Sequence, residues 1–378
     1  MHSAGIYIHI PFCNIKCMYC DFYSITKRNN DMPKFIESLI KEIKQTAKTH
    51  NHDWIFDTIF FGGGTPSLLD PKWIRKILDT LYFNFNFSKK IEITLEVNPG
   101  EVSLENLMGF KRSGINRLSL GFQSLRPKLL NFLSRIHTPE DNLKTFNHAR
   151  KAGFNNINID LIFNIPGQTV REWKEDLEKI VKITPDHISA YSLTVEKNTI
   201  LHRQILKGNI CMPKEEIDLK MFEFAQNFLN KHNYLQYEIS NYALQGMECK
   251  HNLHYWNLEP YLAFGPAAHG YDGKVRWWNV SSLDNYMNKI NTNQSPIAEK
   301  EILNEMEHFN EIIFNGIRTN NGIELKKLNS FSSHSNDFNA SIIKWNDKLN
   351  ISSKFIQLKK EAFKFADEIA SDMMKVSN

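Results

Sequence analysis

Short apolar runs with strand character alternate along the first half of the chain with longer stretches whose apolar residues recur every three or four positions. Strands are predicted at 5–10 (GIYIHI), 57–61 (DTIFF), 91–97 (IEITLEV), 116–121 (NRLSLG), 156–163 (NINIDLIF) and 187–194 (HISAYSLT). Helices are predicted between them at 33–49, 71–83, 103–113, 139–152 and 170–183. In the first of these, Phe35, Ile36, Leu39, Ile40 and Ile43 share one face. Ser103 suits a helix start, and Gly114 follows its end. Six strand-then-helix units in series predict parallel strands joined by right-handed crossovers. Six units, not eight, predict an α/β fold of the partial (β/α)6 TIM-like barrel type. In such barrels chemistry gathers at the C-terminal ends of the strands.

Beyond about residue 195 the pattern changes. A helix is predicted at 214–231, with Ile217, Met221, Phe224, Ala225 and Phe228 as its buried stripe. An aromatic-rich stretch follows at 234–279, and 329–340 (NSFSSHSNDFNA) reads as a polar loop or linker. The last stretch, 355–374, looks helical with charged faces. These shifts divide the chain into a barrel of 1–235, an aromatic-rich segment of 236–290 packing on it, and a smaller, mainly α domain of 291–378.

The composition narrows the function classes. The 378 residues are 42% hydrophobic, enough for one large barrel and an appended domain. Net charge is +4 and no Lys/Arg block stands out, so nucleic acid is not an expected partner. No apolar run approaches the roughly 18 residues of a spanning helix, leaving at most peripheral membrane contact. Residues 1–10 lack the pattern of a secretory signal. Five cysteines, three of them clustered, suit a reducing cytoplasm.

The clustered cysteines are Cys13, Cys17 and Cys20, spaced C-x3-C-x2-C just after the first strand. Three close thiolates can hold three irons of a 4Fe–4S cube. No fourth cysteine follows nearby, so one iron stays open to bind a small molecule by its amino and carboxylate groups. Structural zinc prefers four protein ligands, and only one C-x2-C pair is present, with His9 on the preceding strand. Disulfides would leave an odd cysteine and need an oxidising compartment.

Other candidates lie at strand ends. Gly62-Gly63-Gly64-Thr65-Pro66 follows the second strand; no Lys-Ser/Thr pair follows at Walker spacing, so it is not a phosphate loop. Its position beside the cysteine loop suits the amino-acid end of a ligand. Glu96 ends the third strand, where a carboxylate can accept bonds from ribose hydroxyls or simply be solvated. Gln123 follows the fourth strand. Asp160 lies among apolar residues of the fifth, so it faces the barrel mouth or pairs with a cation, Arg135 being one candidate. A second constellation is Glu248-Cys249-Lys250-His251-Asn252-Leu253-His254-Tyr255-Trp256. Histidine can ligate heme iron and aromatics can cover a porphyrin, with Cys249 as a thiolate neighbour. Composition alone favours a polar loop with packed aromatics. Cys211 reads as an inert thiol.

The cysteine run, the Gly-Gly-Gly-Thr-Pro loop, Glu96-Val97-Asn98-Pro99-Gly100, Gly121-Phe122-Gln123-Ser124 and Asn158-Ile159-Asp160-Leu161-Ile162 occur together and in order. This set resembles the oxygen-independent coproporphyrinogen III oxidase family of radical S-adenosylmethionine (SAM) proteins over about residues 5–280, and more faintly beyond. The family contains true oxidases and heme chaperones of the HemW type. Where the oxidases carry an extra cysteine two residues after the third ligand, this chain has Phe22. His251-Asn252-Leu253-His254-Tyr255-Trp256 matches the chaperones' H-N-x-x-Y-W signature. The resemblance implies that Cys13, Cys17 and Cys20 bind the cluster. It places Tyr7, Tyr19, Gly63, Gly64, Thr65, Glu96, Gln123, Arg135 and Asp160 around SAM, some of them at a second SAM site in the oxidases. It sets His251 at heme and gives the C-terminal part a winged-helix-like fold. The implied role is a cytoplasmic heme chaperone serving apo-hemoproteins such as respiratory enzymes, with a homodimer among the assemblies it allows. The rivals are the porphyrin-forming oxidase itself and an RNA-modifying radical SAM enzyme, for which no basic face is visible.

Overall fold

The computed structural model describes residues 2–50, 53–328, 331 and 335–374. The six strands expected from the sequence are β1 (His2–Ile10), β2 (Trp54–Gly63), β3 (Phe87–Val97), β4 (Arg117–Gln123), β5 (Ile157–Phe163) and β6 (His187–Ser192). Each pairs in parallel with the next in chain order. They alternate with α1 (Met32–Thr49), α2 (Pro71–Asn84), α3 (Leu104–Ser113), the short α4 (Pro127–Phe132), α5 (Pro139–Lys151) and α6 (Val170–Lys182). The predicted stripe of α1 is buried. Ser103 caps α3, and Gly114 ends it with a left-handed φ of 113°. Capping boxes start α5 (Thr138 with Asp141) and α6 (Thr169 with Glu172). All seven residues of β4 are buried, as befits a strand between helices and a filled barrel.

The chain continues with α7 (Ile200–Leu206) and α8 (Glu215–Lys231). Met221, Ala225 and Leu229 form the buried line of α8, whereas Ile217, Phe224 and Phe228 are half-buried. Then β7 (Leu235–Gln236) and β8 (Asn241–Ala243) extend the β6 edge antiparallel. The stretch read as a polar loop is instead a helix, α9 (Lys250–Trp256). After it β9 (Tyr261–Phe264) joins β1 in parallel. From there β10 (His269–Tyr271), β11 (Val275–Asn279) and β12 (Ile297–Ile302) continue outward antiparallel, with α10 (Leu283–Asn291) inserted before the last. The result is one twelve-stranded sheet, and it runs through the expected boundaries at 235/236 and 290/291. Glu42 on α1 fastens the extension. It accepts bonds from Gly265 N–H at 2.8 Å, Asn279 Nδ2 at 2.7 Å and the Tyr286 hydroxyl at 2.5 Å.

A second apolar core, including Phe309, Ile313, Ile356 and Ile369, sits in the C-terminal part. It is built from α11 (Glu305–Gly316), β13 (Ile323–Glu324), α12 (Leu325–Leu328), α13 (Ser335–Lys344), β14 (Leu349–Ile351), β15 (Phe355–Leu358) and α14 (Ala366–Met373). Two expectations need correction here. Part of the supposed linker 329–340 lies outside the described residues, but from Ser335 onward it is α13. The supposed helix 355–374 begins as β15, the central strand of a three-stranded sheet, and becomes α-helical only at Ala366. Its alternating Phe355-Ile356-Gln357-Leu358 fits a strand of period two.

Candidate functional site

The mouth of the barrel is where β1 and β2 end. After β1 the chain forms the cysteine loop, closed at its base by a bridge between Phe12 and Ile25. Cys13 N–H donates to Ile25 O at 2.9 Å and Cys20 N–H to Cys17 O at 3.3 Å. The three thiols are free, partly exposed and close enough to act on one another electrostatically. Burial pushes the thiols of Cys13 and Cys20 up, opposed by Thr65 and Ser24 at Cys13 and by Lys16 at both. Among the described residues no three His, Cys, Asp or Glu side chains are grouped closely enough to hold a single metal ion.

The glycine loop is laced to the cysteine loop. Gly64 N–H donates to Ile10 O at 2.8 Å and Thr65 N–H to Phe12 O at 2.7 Å. The Thr65 hydroxyl lies 3.5 Å from Cys13 Sγ. Gly63 has φ of 107°, and a Cβ there would fall 2.5 Å from the His9 ring, so no larger residue fits. Its N–H donates to Glu96 Oε2 at 3.1 Å. Glu96 is therefore not a solvated strand-end acid. Burial first, then the neighbouring Asp160, pushes its carboxyl up to about 8. Arg135, Gln123 and Asn98 converge above Gly121, where a Cβ would lie 2.9 Å from both Arg135 Nη2 and Gln123 Nε2. Tyr19, on the cysteine loop, is a close electrostatic neighbour of Arg135, and burial pushes its phenol up. The suggested Arg135–Asp160 pair does not form. Arg135 Nη1 donates to Asn98 Oδ1 at 3.0 Å, while Asp160 accepts from Ser119 Oγ at 3.0 Å and Asn158 Nδ2 at 2.7 Å.

The other constellation lies at the opposite, N-terminal end of the strands. There α9 crosses from β8 to β9 and forms a floor beneath the barrel interior. His251 is 1% exposed and presses against Gly5. Both ring nitrogens are engaged, Nδ1 with Thr58 Oγ1 and Nε2 with the Tyr255 hydroxyl, each at 2.8 Å. His251 and Tyr255 meet because residues four apart share a helix face. Tyr7 stacks on His251 at 6.4 Å and its hydroxyl lies 3.3 Å from His9 Nδ1, so it reaches from the floor toward the mouth. Cys249 is fully buried and burial holds its thiol at about 12, so it is no thiolate neighbour. Its Sγ lies 3.7 Å from Glu92 Oε1. His254 pins α9 to β2 through Asp57 at 2.7 Å and pairs with Glu259 at 2.6 Å. Those two carboxylates outweigh burial and raise it to about 9. A cleft of about 530 Å³ opens beside the end of α9, lined among others by Trp256, Leu258, Ile312 and Phe355.

Residues 7–180 match the Radical SAM superfamily. The Bacillus subtilis (strain 168) protein named heme chaperone HemW is 37% identical over 330 residues, covering 87% of this chain and 86% of that protein. The chain belongs to the HemW branch of the radical SAM superfamily. A Danio rerio mitochondrial protein, radical S-adenosyl methionine domain-containing protein 1, is 34% identical over 88% of this chain and 77% of its own length. The solved structure of Escherichia coli coproporphyrinogen III oxidase (HemN) superposes with a TM-score of 0.85 at 21% identity, covering 99% of this chain and 90% of that one. That likeness shows the shared fold.

Membership of a radical SAM family brings a 4Fe–4S cluster and SAM, and the mouth fits them. Its donor set is three free thiols on one loop, and the adjoining glycine loop bonds through Gly63 N–H to Glu96, itself an electrostatic neighbour of Asp160 and Arg135. When bound, the cluster supplies an open iron and an electron. Several neighbours were not singled out from the sequence: Asn98, Thr58, Asn158, His187 and Tyr237. Asn158 and His187 carried a signal, being polar residues beside Ile157, Ile159 and Ile188 on buried strands. No helix among the described residues is long and apolar enough to cross a membrane.

Proposed function

We propose that this chain is a heme chaperone of the HemW type, working in the cytoplasm and handing heme to apo-hemoproteins such as respiratory enzymes. The observation that carries this reading is α9: the H-N-x-x-Y-W segment folds as a helix packed on the barrel strands, with a cleft of mixed polar and apolar lining, including Trp256 and Phe355, at its end. The name of the Bacillus subtilis relative supports it. Cys13, Cys17 and Cys20 hold the cluster. Gly63, Gly64 and Thr65 receive the amino-acid end of SAM, while Glu96, Gln123, Arg135 and Asp160, with Tyr7 and Tyr19, enclose the rest. His251 ligates heme through Nε2 by releasing the Tyr255 hydroxyl. Its Nδ1 stays bonded to Thr58, the outer partner that keeps a ligating imidazole oriented. Trp256, Leu258 and Phe355 offer an apolar face to the porphyrin.

The test is heme titration of wild-type protein beside His251→Ala, read by absorption. The variant loses the nitrogen-ligated spectrum and binds at least tenfold more weakly; equal affinity and spectrum in both would remove His251 as the ligand. The alternative activity, oxidative decarboxylation of coproporphyrinogen III, is checked anaerobically with SAM and reductant. Stoichiometric product would overturn the chaperone reading.

A further inference from the structure

Between the mouth and the floor runs a line of hydrogen bonds that neither site accounts for. Cys249 N–H, at the cap of α9, donates to the Tyr237 hydroxyl at 3.3 Å. Tyr237 in turn lies 2.8 Å from His187 Nε2, and His187 Nδ1 lies 2.6 Å from Asn158 Oδ1. Asn158 Nδ2 donates to Asp160 Oδ1 at 2.7 Å and to Ser119 Oγ at 2.7 Å. Asn158, His187, Tyr237 and Cys249 are all at most 3% exposed. Burial, aided by the nearby Arg117, keeps His187 neutral. The polarity of every link is then fixed. The Asn158 amide N–H is spent on Asp160 and Ser119, so its oxygen must accept from His187 Nδ1–H. His187 Nε2 must accept from Tyr237 O–H, which leaves the Tyr237 oxygen to accept from Cys249. The donors all point one way, from α9 to the carboxylate of Asp160. Such one-way chains reinforce each other. Burial pushes the Asp160 carboxyl up, so a cation beside it favours the ionised acceptor, which strengthens every link.

We propose that this chain couples the two ends of the barrel, so that SAM, a sulfonium cation, tightens the hold on α9 when it occupies the mouth beside Asp160 and thereby weakens heme binding at His251. The inference rests on the reading of His251 as the heme ligand: with α9 seated, both its nitrogens are taken. His187, Asn158 and Tyr237 are positioning residues in this scheme. By reciprocity, heme weakens SAM by the same factor.

The experiment uses the full chain with its cluster reconstituted under anaerobic conditions. Heme is titrated with and without saturating SAM, and amide hydrogen exchange of 249–256 is followed with and without SAM. In wild type, SAM raises the heme Kd about tenfold and slows exchange across α9. In Tyr237→Phe both ligands still bind, the SAM effect on heme falls below about twofold, and exchange no longer responds. His187→Gln, which cannot meet both partners, gives the same loss and serves if Tyr237→Phe does not fold. Full coupling in a folded variant of either kind, or a wild type in which SAM alters neither heme Kd nor exchange, overturns the proposal. Should wild type bind no heme while SAM still slows α9 exchange through Tyr237, the coupling stands and the heme assignment falls.

Discussion

At the mouth of the barrel the reactive groups stand on loops past the strand ends; at the floor they stand on a helix packed against β1 and β2. The mouth is open and its thiols are partly exposed, with its shape held by backbone bonds such as Gly64 N–H to Ile10 O. The floor is closed, and His251 satisfies both nitrogens within the chain. The difference teaches that, under the proposed function, the two ends take their ligands differently. The mouth already presents its thiols, whereas the floor would have to give up the bonds of His251 to Thr58 or Tyr255 before it could take one. Buried polar residues near α9, among them Glu92, Arg117, Asn158 and His187, bear on that exchange, because a buried polar group tolerates a new partner better than none.

The largest effect that would break this comparison is at the cysteine loop. Cys17→Ser should abolish the cluster, taking bound iron from about four per chain to near none by iron and sulfide analysis, with the far-ultraviolet spectrum unchanged. Retention of a full cluster would mean the mouth is not built as described. Next is Gly63→Ala, which forces a Cβ against the His9 ring at a left-handed φ. Strain and overpacking together should cost about 2–4 kcal/mol in urea unfolding. A loss under about 0.5 kcal/mol would show that the glycine loop is not close-packed.

At the floor, the comparison is sharpened by pH. His254 is raised from its ordinary 6.5 to about 9 by Asp57 and Glu259. Its contribution is fully present below about pH 6.5 and is lost as pH rises through about 9. Because Asp57 and Glu259 are substantially exposed, roughly 1–2 kcal/mol is expected after screening. Hydrogen exchange of α9, corrected for intrinsic rates, should quicken between about pH 6.5 and 9 in wild type and show no such change in His254→Gln. The same change in the variant would assign it to another group. The smallest effect is at Phe22, which is 64% exposed. Phe22→Cys should change stability by under about 0.5 kcal/mol and give no coproporphyrinogen oxidation in the anaerobic assay. Turnover would show that one residue separates the two branches.

The barrel was legible because each strand and helix carries its own period, and a run such as Ile157–Phe163 needs no distant partner to be read. The clustered thiols were legible because a C-x3-C-x2-C motif depends only on local spacing. The floor was not. Lys250–Trp256 is a seven-residue helix of polar and aromatic residues, and its burial is decided by Thr58, Gly5 and Glu92, which lie far away in sequence. The short strands β7 and β8, of two and three residues, are too short to show a period, and β12 alternates little because it is largely exposed. The Arg135–Asp160 pairing failed for a related reason. Charge complementarity suggests pairs, but Ser119 and Asn158 were already placed beside Asp160 by strand register.

The most direct test uses a single anaerobic sample of reconstituted protein, whose absorption is recorded before and after one equivalent of heme, alongside His251→Ala. Separate mouth and floor sites predict that the iron–sulfur absorption persists while a nitrogen-ligated heme band is added, and that the variant lacks only the second. Loss of the cluster signal as heme binds, or an identical heme band in the variant, would contradict the account.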